Sequence, residues 1–158
     1  MGKDLQIIGF RIGRETYGIG ISAVREIVRV PEITAVPNAR EAIEGVINLR
    51  GKIIPVMDLR KRFGEADTRT DKKSRILVVE IENRLLGLLV NSASEVLNLA
   101  PSEIESPGST FVEGESSYVT GVGKLGGRLI ILLDIAKLLQ RQDLKRLAEV
   151  MEPAGSLR

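Results

Sequence analysis

The chain of 158 residues has no cysteine and no histidine. The first absence excludes disulfides, thiol nucleophiles and thiolate metal sites. The second removes the commonest general base and the commonest zinc ligand. Tryptophan is missing as well, and two tyrosines and three phenylalanines are the whole aromatic complement, too few to stack a run of unpaired bases. No apolar run reaches the ~18–20 residues that cross a bilayer. The first five residues, Met1 to Leu5, lead into a mixed polar segment without the apolar centre of a signal peptide, so a cytoplasmic protein is expected. A net charge of +2 is too small to imply a polyanionic partner. What is present is an ordinary globular composition, 43% apolar and 28% charged, at a length that suits one domain or two small ones.

The most informative stretch is residues 45–64. Two apolar runs, Val46 to Leu49 and Ile53 to Met57, flank Arg50-Gly51-Lys52, a polar turn whose glycine supplies the positive φ that a tight hairpin requires. Asp58 then stands where a helix cap belongs, Leu59 and Phe63 are four apart, and Gly64 ends the segment. The order is strand, turn, strand, capped helical turn, stop. It returns in residues 121–140 at a constant offset of 76, where Gly45, Val46, Leu49, Gly51, Ile54, Asp58 and Lys61 meet Gly121, Val122, Leu125, Gly127, Ile130, Asp134 and Lys137.

The repeat extends further back. Residues 5–21 alternate apolar side chains about a turn at Gly13-Arg14-Glu15, giving a β-hairpin with one buried face. Residues 76–90 form a second such hairpin, and residues 10–28 align with 79–97 at an offset of 69, with Gly18 on Gly87, Ile21 on Val90 and Glu26 on Glu95. An expansion between 106 and 117 accounts for the change of offset. The whole half is therefore duplicated. Ser22 to Val28 reads either as a capped helical turn or as a strand, and Asn38 to Glu44 as a short helix that ends at Gly45. Residues 65–75 carry no apolar period and form a solvated connector. The spacing of Ile135, Leu138, Leu139, Leu144 and Leu147 predicts a C-terminal helix over 134–150, with 151–158 as a loose tail. The expected fold is mainly β, two small barrels of some five short strands each, packed together, with short helices. The first covers about 5–64 and the second about 75–140, within a domain of residues 1–150.

Reactive chemistry is sought and not found. Gly121, Gly123 and Gly126 satisfy a glycine fingerprint, but the dinucleotide motif needs a helix after it and here a strand follows. Ile53 stands where a P-loop would carry serine or threonine. Asp58 and Asp134 share one place before a helical turn, which argues for shared work as caps rather than a phospho-acceptor. No catalytic set and no cofactor site is discernible. Arg60-Lys61-Arg62 reads as the outer face of a helical turn. The copies differ at Asn48-Leu49-Arg50, which becomes Lys124-Leu125-Gly126. Arg50 is thus not needed by the fold in general, and is either a surface turn residue or an anchored guanidinium that pairs with a carboxylate or a partner.

Gly45 to Gly51, followed by Pro55 and Asp58-Leu59-Arg60, resembles the signature of the CheW-like domain family of bacterial chemotaxis adaptors. Tyr17-Gly18-Ile19, Val24 to Ile27 and Val36-Pro37-Asn38 are similar in order and spacing, so the likeness runs from about residue 5 to 140. The domain also occurs in the kinase CheA and in CheV, but this length has no room for an ATP-binding or receiver domain, so the standalone adaptor is expected. The resemblance implies two intertwined SH3-like five-stranded barrels, with strands exchanged between them, and a non-enzymatic scaffold, without cofactor, nucleic acid or membrane insertion. Such a scaffold joins the cytoplasmic hairpin of a chemoreceptor to the histidine kinase CheA. It implies an apolar receptor groove at Ile8, Ile21, Val24, Ile27 and Val90, residues that alternation also predicts as plain core. It implies an ion pair between Glu26 and Arg50 beside the binding surfaces. It places kinase contact near Val36, Pro37, Ile43 and Val46, where an exposed apolar barrel end invites a like barrel. The alternative is a small-barrel module that binds nucleic acid or another ligand.

Overall fold

A computed structural model describes residues 2–37, 42–106 and 118–139. The first half holds β1 (Leu5–Ile12), β2 (Glu15–Gly20), a 3₁₀ turn at Ile21–Ala23, β3 (Val24–Arg29), β4 (Ile43–Leu49), β5 (Lys52–Asp58) and the single helical turn α1 (Leu59–Arg62). The second holds β6 (Arg75–Ile81), β7 (Arg84–Val90), β8 (Ser92–Leu99), a 3₁₀ turn at Pro101–Glu103, β9 (Ile104–Glu105), β10 (Val119–Leu125), β11 (Arg128–Leu133) and α2 (Ile135–Leu138).

Two sheets result, and neither is contiguous in sequence. One has the order β8-β1-β2-β11-β10-β9 and the other β3-β6-β7-β5-β4. Each half therefore lends its first hairpin to the sheet built by the other half's later strands. The exchange is reciprocal to the residue. β2 runs parallel to β11 with Gly18 opposite Leu132, and β7 runs parallel to β5 with Gly87 opposite Val56. The offsets of 69 and 76 convert one pair into the other. Irregularities repeat too: the register shifts between Ile43 and Gly45 and again between Val119 and Gly121.

The six-stranded sheet exceeds the expected five by one short element. In the first half the chain before β4 makes a lone bridge from Thr34 to Val46. In the second half the equivalent contact has grown into β9, which pairs Glu105 with Val122 and Ile104 with Gly123.

Three apolar clusters follow from this arrangement. Ile47, Ile54, Val56, Ile76, Val78 and Leu89 fill the five-stranded barrel. Ile7, Leu99, Ile130 and Leu132 fill the six-stranded one. The largest cluster lies between them and draws on both sheets, from Ile8, Phe10 and Ile19 to Leu77, Leu88 and Val90. Neither barrel is large enough to be stable on its own interior, and burial of the shared seam supplies the main apolar stabilisation.

One local expectation needs correction here. Ile43 and Glu44 open strand β4 instead of closing a helix. The alternating burial of Ile43, Gly45 and Ile47 has the strand period of two, and the Asp58 amide donates to the Ala42 carbonyl at 2.7 Å. Residues 38–41, the rest of that expected helix, lie outside the described residues, as do residues 140–150 of the helix expected over 134–150, whose described part ends at Leu138, and the tail 151–158. At Ser22 to Val28 both alternatives are realised in succession, a 3₁₀ turn and then a strand.

Candidate protein-interaction surface

The hairpin turn between β4 and β5 sets the geometry of the surface. Arg50 and Gly51 both have positive φ, 51° and 88°, and the Gly51 amide donates to Asn48 Oδ1 at 2.8 Å. A left-handed arginine is disfavoured on sterics, and the second half has Gly126 at that place, with φ 56°. The conformation aims the Arg50 guanidinium across to β3. There Nη1 donates to Glu26 Oε1 at 3.2 Å and Nη2 to Glu26 Oε2, a two-pronged contact. The Glu26 carboxylate raises the Arg50 pKa above its already high ordinary value through that hydrogen bond and its charge. Arg50 is thus an exposed turn residue whose guanidinium is paired with a carboxylate.

A second ion pair, not anticipated from the residues, lies alongside. Arg25 on β3 binds Glu80 on β6. Consecutive strand residues ordinarily face opposite ways, but the register shifts between Val24 and Glu26 and leaves Arg25 at a bulge, so a shallow polar groove containing Lys52 and Asn83 takes in both pairs.

Adjoining these charges is an apolar strip. Ile21, Val24 and Ile27 are half-buried and pack on the edge of the seam cluster. Ile8 and Val90 belong to the interior of that same cluster, at 4% and 0% exposure. The five residues expected to line a groove are therefore brought together, but in two layers, and only three of them present surface.

At the far end of the same sheet β4 is the edge strand. Pro37 is exposed, Val36 and Val46 are half-buried, and Ile43 is turned into the seam at 7% exposure. The segment before β4 is strapped to it by two 2.9 Å bonds between Thr34 and Val46. Gly45 makes this possible: at φ 145° it leaves room for the Thr34 carbonyl, which a Cβ would approach to 2.0 Å.

Arg60 is not on an outer face. It is 1% exposed and forms a buried pair with Asp58, Nε to Oδ1 and Nη2 to Oδ2 both at 3.0 Å. Its other contacts hold the connector, with Nη1 on the Arg69 carbonyl at 2.7 Å and Nη2 on Thr70 Oγ1 at 3.2 Å. Asp58 caps α1 as expected, accepting from the Arg60 amide at 2.9 Å, and Asp134 caps α2 from the Lys137 amide at 3.1 Å. The sequence signal for Arg60 was its counterpart, Ala136, which shows that the helical turn itself does not need a cation there.

No group of three or more acidic or imidazole ligands that could hold a metal occurs among the described residues, and none of their helices is long and apolar enough to cross a membrane. The arrangement is one of apolar surface framed by oriented charges.

Comparison with known proteins agrees with this geometry. Residues 6–143 match the model of the CheW-like domain. The chain is 37% identical over 144 residues to the chemotaxis protein CheW of Klebsiella aerogenes, covering 91% of this chain and 86% of that one. It is 32% identical over 143 residues to the CheW of Thermotoga maritima, covering 90% and 93%. The crystal structure of the scaffolding protein TtCheW from Thermoanaerobacter tengcongensis superposes with a TM-score of 0.78 at 38% identity, over 90% of this chain and 96% of that one. The chain belongs to the CheW-like domain family.

Proposed function

We propose that the chain is a non-enzymatic chemotaxis scaffold of the cytoplasm, which couples the cytoplasmic hairpin of chemoreceptors to the histidine kinase CheA. The family supports an adaptor role, and one observation carries the finer reading. The seam cluster reaches the surface at Ile21, Val24 and Ile27, directly beside a guanidinium held by Glu26 in a backbone conformation that the sister copy leaves to glycine. A half-exposed apolar strip with a fixed charge at its border suits one face of a helical partner. Ile8 and Val90 form the floor beneath it. The kinase is assigned to the β4 edge, where Val36, Pro37 and Val46 offer apolar surface and Ile43 supports them from within.

A nucleic-acid module finds no support in the charge pattern. Among the described residues, Arg25, Arg50, Lys61, Lys124 and Arg128 are each paired with a glutamate, so these five cations carry no unpaired positive charge toward a polyanion.

The deciding experiment mixes the chain with receptor-bearing membranes and CheA. The scaffold should sediment with both partners and raise the kinase in the pellet. Arg50→Ala should leave the melting temperature nearly unchanged, because exposed pairs contribute little stability, and should lower the co-sedimented kinase or receptor-dependent kinase activity. Equal loss of folding and coupling would assign Arg50 to the fold instead.

A further inference from the structure

The two barrel interiors are related position by position, and they are filled differently. Where the five-stranded barrel has Val78, Leu89 and Ile47, the six-stranded barrel has Gly9, Gly20 and Gly123. Two of these vacancies are closed by larger side chains on β8. Leu97 and Leu99 replace Val28 and Val30, and their Cδ1 atoms come within 3.1 Å and 2.7 Å of where a Cβ on Gly9 and Gly123 would stand. The third is not closed. A Cβ on Gly20 would meet only Ser22 Oγ, at 3.9 Å. The barrel opens there into a cleft of about 570 Å³ with Ile7 and Leu132 among its walls.

Three carboxylates stand at this cleft, those of Glu80, Glu82 and Asp134. Glu80 is engaged by Arg25 and Asp134 caps α2, while Glu82 makes no ion pair among the described residues. Ser22 and Ala23 also line it, and they lie between Ile21 and Val24, so the cleft adjoins the apolar strip.

We propose that this barrel mouth is a second contact point for the helical partner, receiving a large apolar side chain that has a basic residue beside it. The apolar walls select the first group and the carboxylates the second. The inference rests on the reading above, since the occupant is the same receptor hairpin that covers Ile21, Val24 and Ile27.

The test measures binding of a purified chemoreceptor cytoplasmic hairpin to the full chain at several salt concentrations. Gly20→Leu restores the side chain of the sister barrel, and the backbone at φ −57° and ψ 135° accepts it. It should fill the cleft and weaken binding about tenfold, the order expected from losing one good apolar contact. Glu82→Lys, whose backbone cost is unchanged because both residues are L-amino acids in the same turn, should weaken binding mainly at low salt. Val24→Glu tests the strip itself. Wild-type binding by both Gly20→Leu and Glu82→Lys, with binding lost in Val24→Glu, overturns the barrel-mouth contact and leaves the adaptor reading intact. Wild-type binding by all three variants, or no binding by the unmodified chain, overturns both.

Discussion

The two ends of the duplication solve one problem with different chemistry. Asp58 and Asp134 occupy the same place, each capping a four-residue helical turn. Asp134 is half-buried and does so without a cation, with Ala136 exposed nearby. Asp58 is 1% exposed, and beside it Arg60 supplies two hydrogen bonds to the carboxylate and two more to the connector at Arg69 and Thr70. The difference shows what the first half must do and the second need not: it fastens the 65–74 segment that carries the chain from one half to the other. Removing one member of a buried pair leaves the other charge uncompensated, at a cost of about 3–5 kcal/mol. Arg60→Ala should therefore lower the unfolding free energy by that amount in a denaturant titration. Ala136→Arg, on the exposed turn of the sister copy, should change it by no more than about 0.5 kcal/mol. Similar small effects at both places would mean that the connector is held by something other than Arg60.

The bulges separate the copies next. Gly45 and Gly121 are equivalent, and at both the register of the β-hairpin shifts. Only Gly45 has positive φ, and a Cβ there would stand 2.0 Å from the Thr34 carbonyl, against 3.0 Å from that of Glu105 at Gly121. The lone Thr34 bridge presses closer than the longer β9 pairing. Gly45→Ala should cost about 3 kcal/mol, the upper range for an L-residue in a strained backbone. Gly121→Ala should cost roughly 1 kcal/mol, as mild overpacking. Equal losses would show that the bulge, and not the strap across it, dictates glycine.

How much of this could be seen in the residues depends on whether the signal was local. The hairpins and the motif repeated at 45–64 and 121–140 are legible because period-two alternation and the offsets of 69 and 76 need no tertiary knowledge. Pairing between halves is different. A hairpin joined to its own half or to the other buries the same faces, so Ile7 and Ile76 look alike in either arrangement, and periodicity leaves the choice open; intertwined barrels were implied by resemblance alone. Arg60 was misread because a basic triplet after a cap ordinarily faces solvent, while its burial depends on Arg69 and Thr70, in a segment without apolar pattern. Ile43 was misread because Ala39, Glu41 and Ala42 favour helix, whereas the Thr34 strap and the Ala42–Asp58 bond decide for strand. At the candidate surface the ion pair of Glu26 and Arg50 was nameable from the family signature, but Arg25 with Glu80 joins strands of different halves, and nothing near either residue announces the other.

The finest contrast runs through the seam. Phe10, Tyr17, Phe63 and Tyr118 form a chain of rings with centroid separations of 6.0, 5.2 and 6.2 Å. Their counterparts across the duplication are Val79, Leu86, Leu139 and Ala42, and all eight belong to or pack on the same cluster. One side of the seam is thus aromatic and the other aliphatic, and only the aromatic side can titrate. The Tyr17 phenol is held above its ordinary pKa of 10.0, first by burial and then by the charges of Glu15 and Glu65 and by Tyr118. Because the folded value is the raised one, Tyr17 contributes stability that is fully present below pH 10.0. As pH climbs from there through the folded value, the unfolded chain gains by releasing the proton first, and the contribution is lost. In a Tyr118→Phe background the absorbance of tyrosinate near 295 nm reports Tyr17 alone, and its midpoint should lie above pH 10.0. Glu65→Gln should bring it part of the way back, less than unfolding does, since burial is the larger cause. Adding Tyr17→Leu makes that position the same on both sides of the seam and should flatten the alkaline loss of stability by the share that belongs to this one group. A midpoint at or below the ordinary value would mean that the phenol is hydrated, and that the aromatic side of the seam is open to water where the aliphatic side is closed.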